Sequence, residues 1–435
     1  MNIIEYFPKE IIIEIFSYLA LNDLVKLESI NSLMKKIIRS TKWNLLIRFR
    51  EPDYIQYVIE NYKFIKYDFK NLQCVTDYFI SDNIEIFTNC HTLIFNGCDR
   101  ITDAVVKYLG DCHTLGLNRY VRKLDVRDGN KITDKSVKYL RKCNTLDLTG
   151  CNLITDKTVK SLGKCHSLNL SHCNLITDEC VKFLRNCHTL NLNACNKITD
   201  ESVKLLGKCH TLDLSGCYKI TDESIKYLTK CHTLILDYCE NITDESVKYL
   251  GNCNTLSLDA CEKITDKSVK YLGNCHVLVL YGCNKITNKS VKLLGNCHTL
   301  DLSSCYQITD ESVKLLGNCH TLKLYECGQI TDESVKYLGN CHTLDLGCCH
   351  QITDESVKCL SNCHTLTLSF CKKVTDKSVQ CLWNCYKLNL YSCNKITDKS
   401  VKYLGNCHTL NIHNCYNISI KMKAKLQKTV KKLIV

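Results

Sequence analysis

The chain has 435 residues, 23% of them charged, with a formal net charge of +12, 34 cysteines and only two prolines. No apolar run approaches the ~18 residues a membrane-crossing helix needs, and the start, Met1-Asn-Ile-Ile-Glu-Tyr-Phe-Pro-Lys-Glu10, lacks the basic-then-apolar order of a secretory signal. These features argue against a membrane span and predict an intracellular, cytoplasmic chain (a nuclear one remains open) whose cysteines stay reduced. Six of the positive charges fall in the acid-free tail Lys421–Val435, and the remainder is too diluted along the chain for a nucleic-acid stripe.

Residues 1–45 have no internal repeat. Phe7-Pro8 opens a helix in which Ile11, Ile12, Ile13, Ile15, Phe16 and Leu19 cover most of the circumference, and a helix apolar nearly all round needs burial nearly all round. About 40 residues cannot supply that alone, so the segment needs either the adjoining repeats or another protein. The motifs Phe7-Pro8, Ile15-Phe16-Ser-Tyr-Leu19, Asp23-Leu24-Val-Lys-Leu27-Glu-Ser-Ile30-Asn31 and Lys42-Trp43 resemble an F-box. The resemblance implies docking on the Skp-type adaptor of a cullin–RING ubiquitin ligase through Pro8, Ile15, Phe16, Leu19, Leu24, Leu27 and Ile30. Met34 and Asn31 stand where that family usually carries Trp and Cys.

Residues 46–89 are mixed in character and are expected to connect the first segment to the repeats and to cap their first open edge. Cys74-Val-Thr-Asp77 reads as a degenerate repeat fragment. From 90 to 418 a unit of mostly 22 residues recurs about fifteen times, with its first Cys at every 22nd position from Cys143 to Cys407. A period of this size means a solenoid whose units bury their apolar sides against one another. Aligned on its leucines the unit is Cys-x-x-Leu-x-Leu-x-x-Cys-x-x-Ile-Thr-Asp, which resembles the cysteine-containing leucine-rich repeat, although shorter and with Cys in a column usually held by Leu. The fold expected is therefore α/β: short parallel strands at Leu-x-Leu on a concave face and short helices on a convex one, after a small all-helical N-terminal module.

In one unit, Thr243-Asp-Glu-Ser-Val-Lys-Tyr-Leu-Gly251 reads as a helix with Thr243 as N-cap, acids in its first turn, Val247 and Leu250 inward, Lys248 outward, and Gly251 in a left-handed terminal position. Nine extra residues follow Cys112. Arg119, Tyr120, Arg122 and Lys123 lie at this insertion, which is either a protruding loop or a scar of repeat duplication. The basic segment 419–435 is read as a closing cap through Leu426, Val430 and Leu433, with a membrane-surface or import signal as the rival.

Core columns barely change between units, whereas residues beside and just after Leu-x-Leu vary. Acids and aromatics there, Asp213, Asp237, Tyr238, Asp259, Tyr281, Asp301, Tyr325, Phe370 and Tyr391, are the candidate substrate contacts. Acids favour a basic partner segment and aromatics give contact area at small entropic cost; unconstrained drift is the competing reading. Twelve first-column cysteines are followed by His, yet neighbouring residues entering a strand diverge and identical residues stack into rows, so buried packing rather than zinc is expected for the thiols. The His row is expected along one rim, where acidification would set like charges side by side. No phosphate-cradling glycine loop or nucleophile–base pair is present, so neither a cofactor nor catalysis is expected. The composite expectation is a non-catalytic substrate-recognition adaptor of a ubiquitin ligase, with a protein-interaction scaffold or decoy as the alternative.

Overall fold

The computed structural model describes residues 8–118 and 132–435. The chain divides into two compact units, Met1–Ile198 and Thr199–Val435. Arg119, Tyr120, Arg122 and Lys123 of the insertion lie outside the described residues.

In the first unit, helices Lys9–Ser17, Leu21–Glu28 and Ser32–Ser40 precede a parallel sheet. Its strands are Lys42–Arg48, Lys63–Asp68, Thr92–Ile94, Thr114–Gly116, Thr145–Asp147, Ser167–Asn169 and Thr189–Asn191, each paired with the next. Leu115 pairs with Leu146, so the longer spacing after Cys112 leaves the register of the leucines intact. In the second unit, strands run from Thr211–Asp213 to Thr409–Asn411 at one per 22 residues, leucine opposite leucine, as in Leu234, Leu256 and Leu278. The basic tail forms a helix, Ile420–Thr429, and a last parallel strand, Lys432–Ile434, with Leu426 and Val430 buried.

One unit shows the core. Cys297, Leu300, Leu302, Cys305, Ile308, Val313 and Leu316 are all essentially inaccessible. All 29 cysteines of the two columns are buried. The second column is Cys for a polar reason: Cys305, Cys327 and Cys349 donate their S–H to the carbonyls of Leu280, Leu302 and Leu324, one unit back, at 3.1–3.2 Å. A small apolar side chain with a weak donor suits that spot and adds a second bond to carbonyls that already accept from the Cys283, Cys305 and Cys327 amides. Burial pushes the Cys305 thiol up to about 12 and the Cys319 thiol up to about 11, so neither forms the reactive thiolate. Native alkylation should therefore label Cys74 and Cys359 quickly and Cys348 and Cys381 more slowly, the first two being exposed and the others half-buried. Mass spectrometry should find the column cysteines labelled only after denaturation; rapid labelling of Cys305 or Cys319 in the native protein would contradict the packing role.

The helices of the repeat units are single turns. Thr243 caps Asp244–Val247 by accepting from the Glu245 amide at 3.2 Å. The residue that follows each capping threonine, aspartate in all but one unit, joins neighbouring units. Asp310 accepts from the Thr331 amide at 2.9 Å, the Thr331 hydroxyl at 2.6 Å and the Ser334 hydroxyl at 2.5 Å, all from the next unit. The same contacts recur from Asp103 and Asp134 in the first unit and Asp244, Asp266, Asp332, Asp354 and Asp376 in the second. Asp77 of the degenerate fragment likewise holds Thr102 at 2.8 and 2.5 Å.

Gly251 is not in the left-handed region expected of it. The chain passes close there instead: a Cβ at Gly251 would lie 2.3 Å from the Tyr271 carbonyl oxygen of the next unit.

Candidate functional site

The N-terminal helices present the first candidate surface. Pro8 opens Lys9–Ser17, and Asn31 caps Ser32–Ser40 by accepting from the Met34 amide at 2.8 Å. Ile12, Phe16, Leu24, Met34, Ile37, Ile38 and Trp43 form the interior, and the Trp43 indole donates to the Ile38 carbonyl at 2.8 Å. Arg39 ties this bundle to the following helix, Ile55–Asn61, by bonding Glu28 through two nitrogens at 3.1 Å, Asn61 at 2.7 Å and Tyr57 at 3.2 Å. The outward side stays apolar: Ile11, Ile15, Tyr18, Val25, Ile30 and Leu33 are exposed, Ile15 and Ile30 by 53% each. The residues expected to dock an adaptor therefore divide. Pro8, Ile15 and Ile30 are exposed, Leu19 and Leu27 half-buried, and Phe16 and Leu24 hold the module together from inside.

The strand face of the second unit is the other candidate, and its residues fall into two groups. Asp213 accepts from the Ser215 amide at 3.0 Å and hydroxyl at 2.6 Å. Asp237 accepts from the Ser257 hydroxyl at 2.5 Å and the Asp259 amide at 3.0 Å. Burial and then the neighbouring charges of Asp237 and Asp301 push Asp259 up to about 6. One of its carboxylate oxygens is buried with no hydrogen-bond partner among the described residues. Tyr238 lies beside it, its phenol shifted up chiefly by the Asp259 charge. Asp301 differs: it is buried, paired with Lys323 at 3.2 Å and bonded by the Ser303 amide at 3.0 Å, so it is not presented to a partner.

The second group is aromatic. The Phe370 and Tyr391 rings meet edge to face at 5.0 Å, and Tyr391 stacks on His413 at 5.6 Å while its hydroxyl accepts from Asn414 at 3.0 Å. Tyr325 rests over Gly347, where a Cβ would come within 2.7 Å of its ring, and its phenol is shifted up by hydrogen bonding with the Cys348 thiol. Tyr281 is partly exposed and makes no ring contact with this cluster among the described residues. His413 and Asn414 were absent from the sequence expectation, although they continue the varied columns by one unit.

Tyr238 and Phe370 share a backbone feature, with φ of +58° and +60°. Gly216 and Gly282 occupy the same repeat position at +66° and +68°. Glycine is the unstrained choice there, and a bulky side chain in the left-handed region costs roughly 1–2 kcal/mol. The position also takes His172, Ala260, Glu326 and Ser392 with positive φ, so the backbone there does not single out the two aromatics.

Cys and His of each unit diverge: Cys297 is buried and His298 exposed. In the second unit His276, His298, His320, His342, His364, Tyr386 and His408 stack in one row with centroids 4.4–4.7 Å apart. Desolvation and then the charges of His276 and His320 push the His298 imidazole below its ordinary range. A folded value below the unfolded one (~6.5) means stability is present above that pH and lost as pH falls through the lower folded value. Thermal melts between about pH 7.5 and about pH 5.5 should therefore show a falling midpoint. His298→Asn, the residue found in this column at Asn254, should reduce the fall; a midpoint unchanged across the range would refute the effect.

Known proteins supply a comparison for this geometry. A leucine-rich-repeat family model matches residues 166–184 and 342–361. No curated protein sequence matches the chain. Among solved structures, the Rad7–Elc1 complex from yeast is 20% identical, aligned over 69% of this chain and 92% of that one, with a TM-score of 0.52. A leucine-rich-repeat protein of Leptospira interrogans is 19% identical over 90% of this chain and 100% of its own, at 0.49. An internalin of Listeria monocytogenes is 20% identical over 68% of this chain and 82% of its own, at 0.43. Parallel strands one per coil, two interior cysteine columns, the repeat-family match and the likeness to the Rad7–Elc1 structure give one conclusion: the chain has the leucine-rich-repeat solenoid fold, a protein-interaction architecture.

Proposed function

We propose that this chain is a substrate-recognition adaptor of a cullin–RING ubiquitin ligase. In this reading residues 1–45 dock the Skp-type adaptor, 46–89 and 419–435 close the two ends of the repeats at 90–418, and the strand face of the second unit binds a protein substrate. The observation that carries it is the bare apolar side of the N-terminal helices, where Ile11, Ile15, Tyr18, Ile30 and Leu33 are exposed on a bundle whose own core is already filled. Exposed apolar surface of this kind marks a protein contact. The Rad7–Elc1 structure, a solenoid of this fold solved with a second chain, is a precedent for such pairing. The chain itself would do no chemistry; it would raise the effective concentration of substrate near the ligase. Its compartment in this reading is the cytoplasm or nucleus, where so many buried cysteines would stay reduced.

On the strand face, Asp213, Asp237 and Asp259 would take basic side chains, with Tyr238 and Tyr281 alongside. Tyr325, Phe370 and Tyr391 would take apolar ones. Tagged full-length protein should retain the Skp-type adaptor, and Ile15→Asp with Ile30→Asp should abolish retention while circular dichroism stays unchanged. Phe16 is unsuitable for this test because it is interior. No adaptor on the wild type would leave the scaffold or decoy reading in its place.

A further inference from the structure

The net charge outside the tail is not diluted along the chain as expected: nearly all of it falls after residue 360. Residues 361–435 contain thirteen lysines, two aspartates and no other charged residue, which is +11 of the chain's +12. Both aspartates are engaged inside the repeat contacts, Asp376 with Thr397 and Ser400 and Asp398 with Ser419. None of the thirteen lysines has an ion-pair partner among the described residues.

Comparing units shows how this arises. In the two preceding units the outward helix lysine is neutralised from three residues back: Lys336 by Glu333 at 3.3 Å and Lys358 by Glu355 at 2.6 Å. In each of the last three units the residue in the Glu column is lysine: Lys377, Lys399 and Lys421. Their helices, Asp376–Val379, Asp398–Val401 and Ile420–Thr429, are linked in series by the aspartate contacts above. Lys402 adds a fourth cation, lying 4.8 Å over the Tyr403 ring.

The same surface carries apolar groups set outward. Trp383 is 50% exposed and occupies a position that is glycine in four of the five preceding units, where a Cβ meets the next unit's carbonyl. Ile420 stands where earlier units have the linking aspartate and is 87% exposed. Clustered lysines whose two neighbouring aspartates are already engaged between units, around an exposed Trp and Ile, are the composition of a surface that lies in a lipid headgroup layer. No arginine occurs after Arg185; the planar guanidinium preferred for reading nucleic acids is missing, and lysine acts as a point charge.

We propose that the helix side of the last three units, centred on Lys377, Lys399, Lys402, Lys421, Trp383 and Ile420, docks peripherally on an anionic phospholipid surface. This does not depend on the adaptor reading.

The test uses full-length protein and vesicles of phosphatidylcholine with or without roughly one-third phosphatidylserine. Co-sedimentation is expected only with the anionic vesicles and should fall with added salt. Lys377→Glu, Lys399→Glu and Lys421→Glu together should weaken it about a hundredfold or more, since each lysine near such a surface contributes ~1 kcal/mol. The variant restores the glutamate of neighbouring units, so the fold is retained. In a Trp43→Phe background, emission from Trp383 should shift to the blue on binding. A double change of Lys204 and Lys226 to Glu, elsewhere on the chain, should leave binding intact. Equal sedimentation with neutral vesicles, binding unchanged in the triple variant, or tighter capture of single-stranded RNA than of anionic vesicles would each overturn the proposal.

Discussion

Asp310→Ala should destabilise the second unit by roughly 2–4 kcal/mol, whereas Asp310→Asn should lose about 1 kcal/mol or less. Alanine strands three donors at once: the Thr331 amide, the Thr331 hydroxyl and the hydroxyl of Ser334, a fully buried residue. Asparagine has a natural precedent in the same column. Asn288 accepts from the Thr309 amide at 3.0 Å and from Ser312 at 2.8 Å, and donates to the Thr309 hydroxyl at 2.8 Å. Urea denaturation followed by circular dichroism would compare the two, with hydrogen exchange at the Thr331 amide as a local readout because repeat arrays need not unfold in one step. An alanine variant as stable as wild type would show that the aspartate contacts are incidental.

The pH dependence has a definite sign. Burial by itself raises Asp310, Asp332 and Asp354, but hydrogen bonds from Ser and Thr hydroxyls and from the Thr amide outweigh it and hold all three below the ordinary carboxylate range. Groups depressed in the folded state contribute stability above the unfolded value (~3.9), lost as pH falls through the folded one. Acid should therefore weaken the wild type below about pH 4, and Asp310→Asn should be less sensitive by one such group.

What could be read in the sequence was whatever one unit decides within itself. The strand at Leu-x-Leu, the buried Val247 and Leu250, the Thr243 cap and the outward Lys248 depend on contacts a few residues apart or on burial common to every copy. What escaped depends on which copy a residue touches. Asp244 reads equally well as a first-turn acid of its own helix, yet it holds Thr265 and Ser268 of the next unit. Periodicity cannot separate these, because every unit carries the same residue at the same place. The left-handed cap expected at Gly251 fails for a similar reason: the approach of the Tyr271 carbonyl is invisible along the chain.

The candidate surfaces show the same division. A helix apolar on all sides gives no clue to which side its own module covers, so interior Phe16 and Leu24 were grouped with exposed Ile15 and Ile30. On the strand face, Asp259 and Asp301 stand in related positions of the varied columns. Only the neighbouring unit's Lys323 makes Asp301 an internal ion pair, leaving Asp259 with an unpartnered oxygen. Residues 46–89 lack the 22-residue register altogether. The two longer strands, Lys42–Arg48 and Lys63–Asp68, are hidden for that reason, whereas the sequence of 53–60 suggests the helix between them.

Phe69→Ala is expected to have the largest effect of any single change in the first unit, roughly 3–5 kcal/mol. This ring is fully buried where the repeats begin, stacked on Phe49 at 5.2 Å and Phe95 at 5.3 Å and edge-on to Phe87 at 5.8 Å. Aromatic rings here fill the volume that later units fill with leucine and cysteine. Removing one leaves a cavity whose walls belong to three different segments and cannot all close at once. Trp43, buried in the same unit, reports the change directly. In a Trp383→Phe background its thermal transition should fall by roughly 10 °C. Tyr67 gives the opposite sign from the same cluster: it is fully buried, and its hydroxyl has no hydrogen-bond partner among the described residues. Tyr67→Phe should raise the Trp43 transition, gaining about 1 kcal/mol by removing an unsatisfied polar group without changing the ring. If both variants melt like wild type, the aromatic cluster is dispensable and the first repeat's own leucines suffice to close that end.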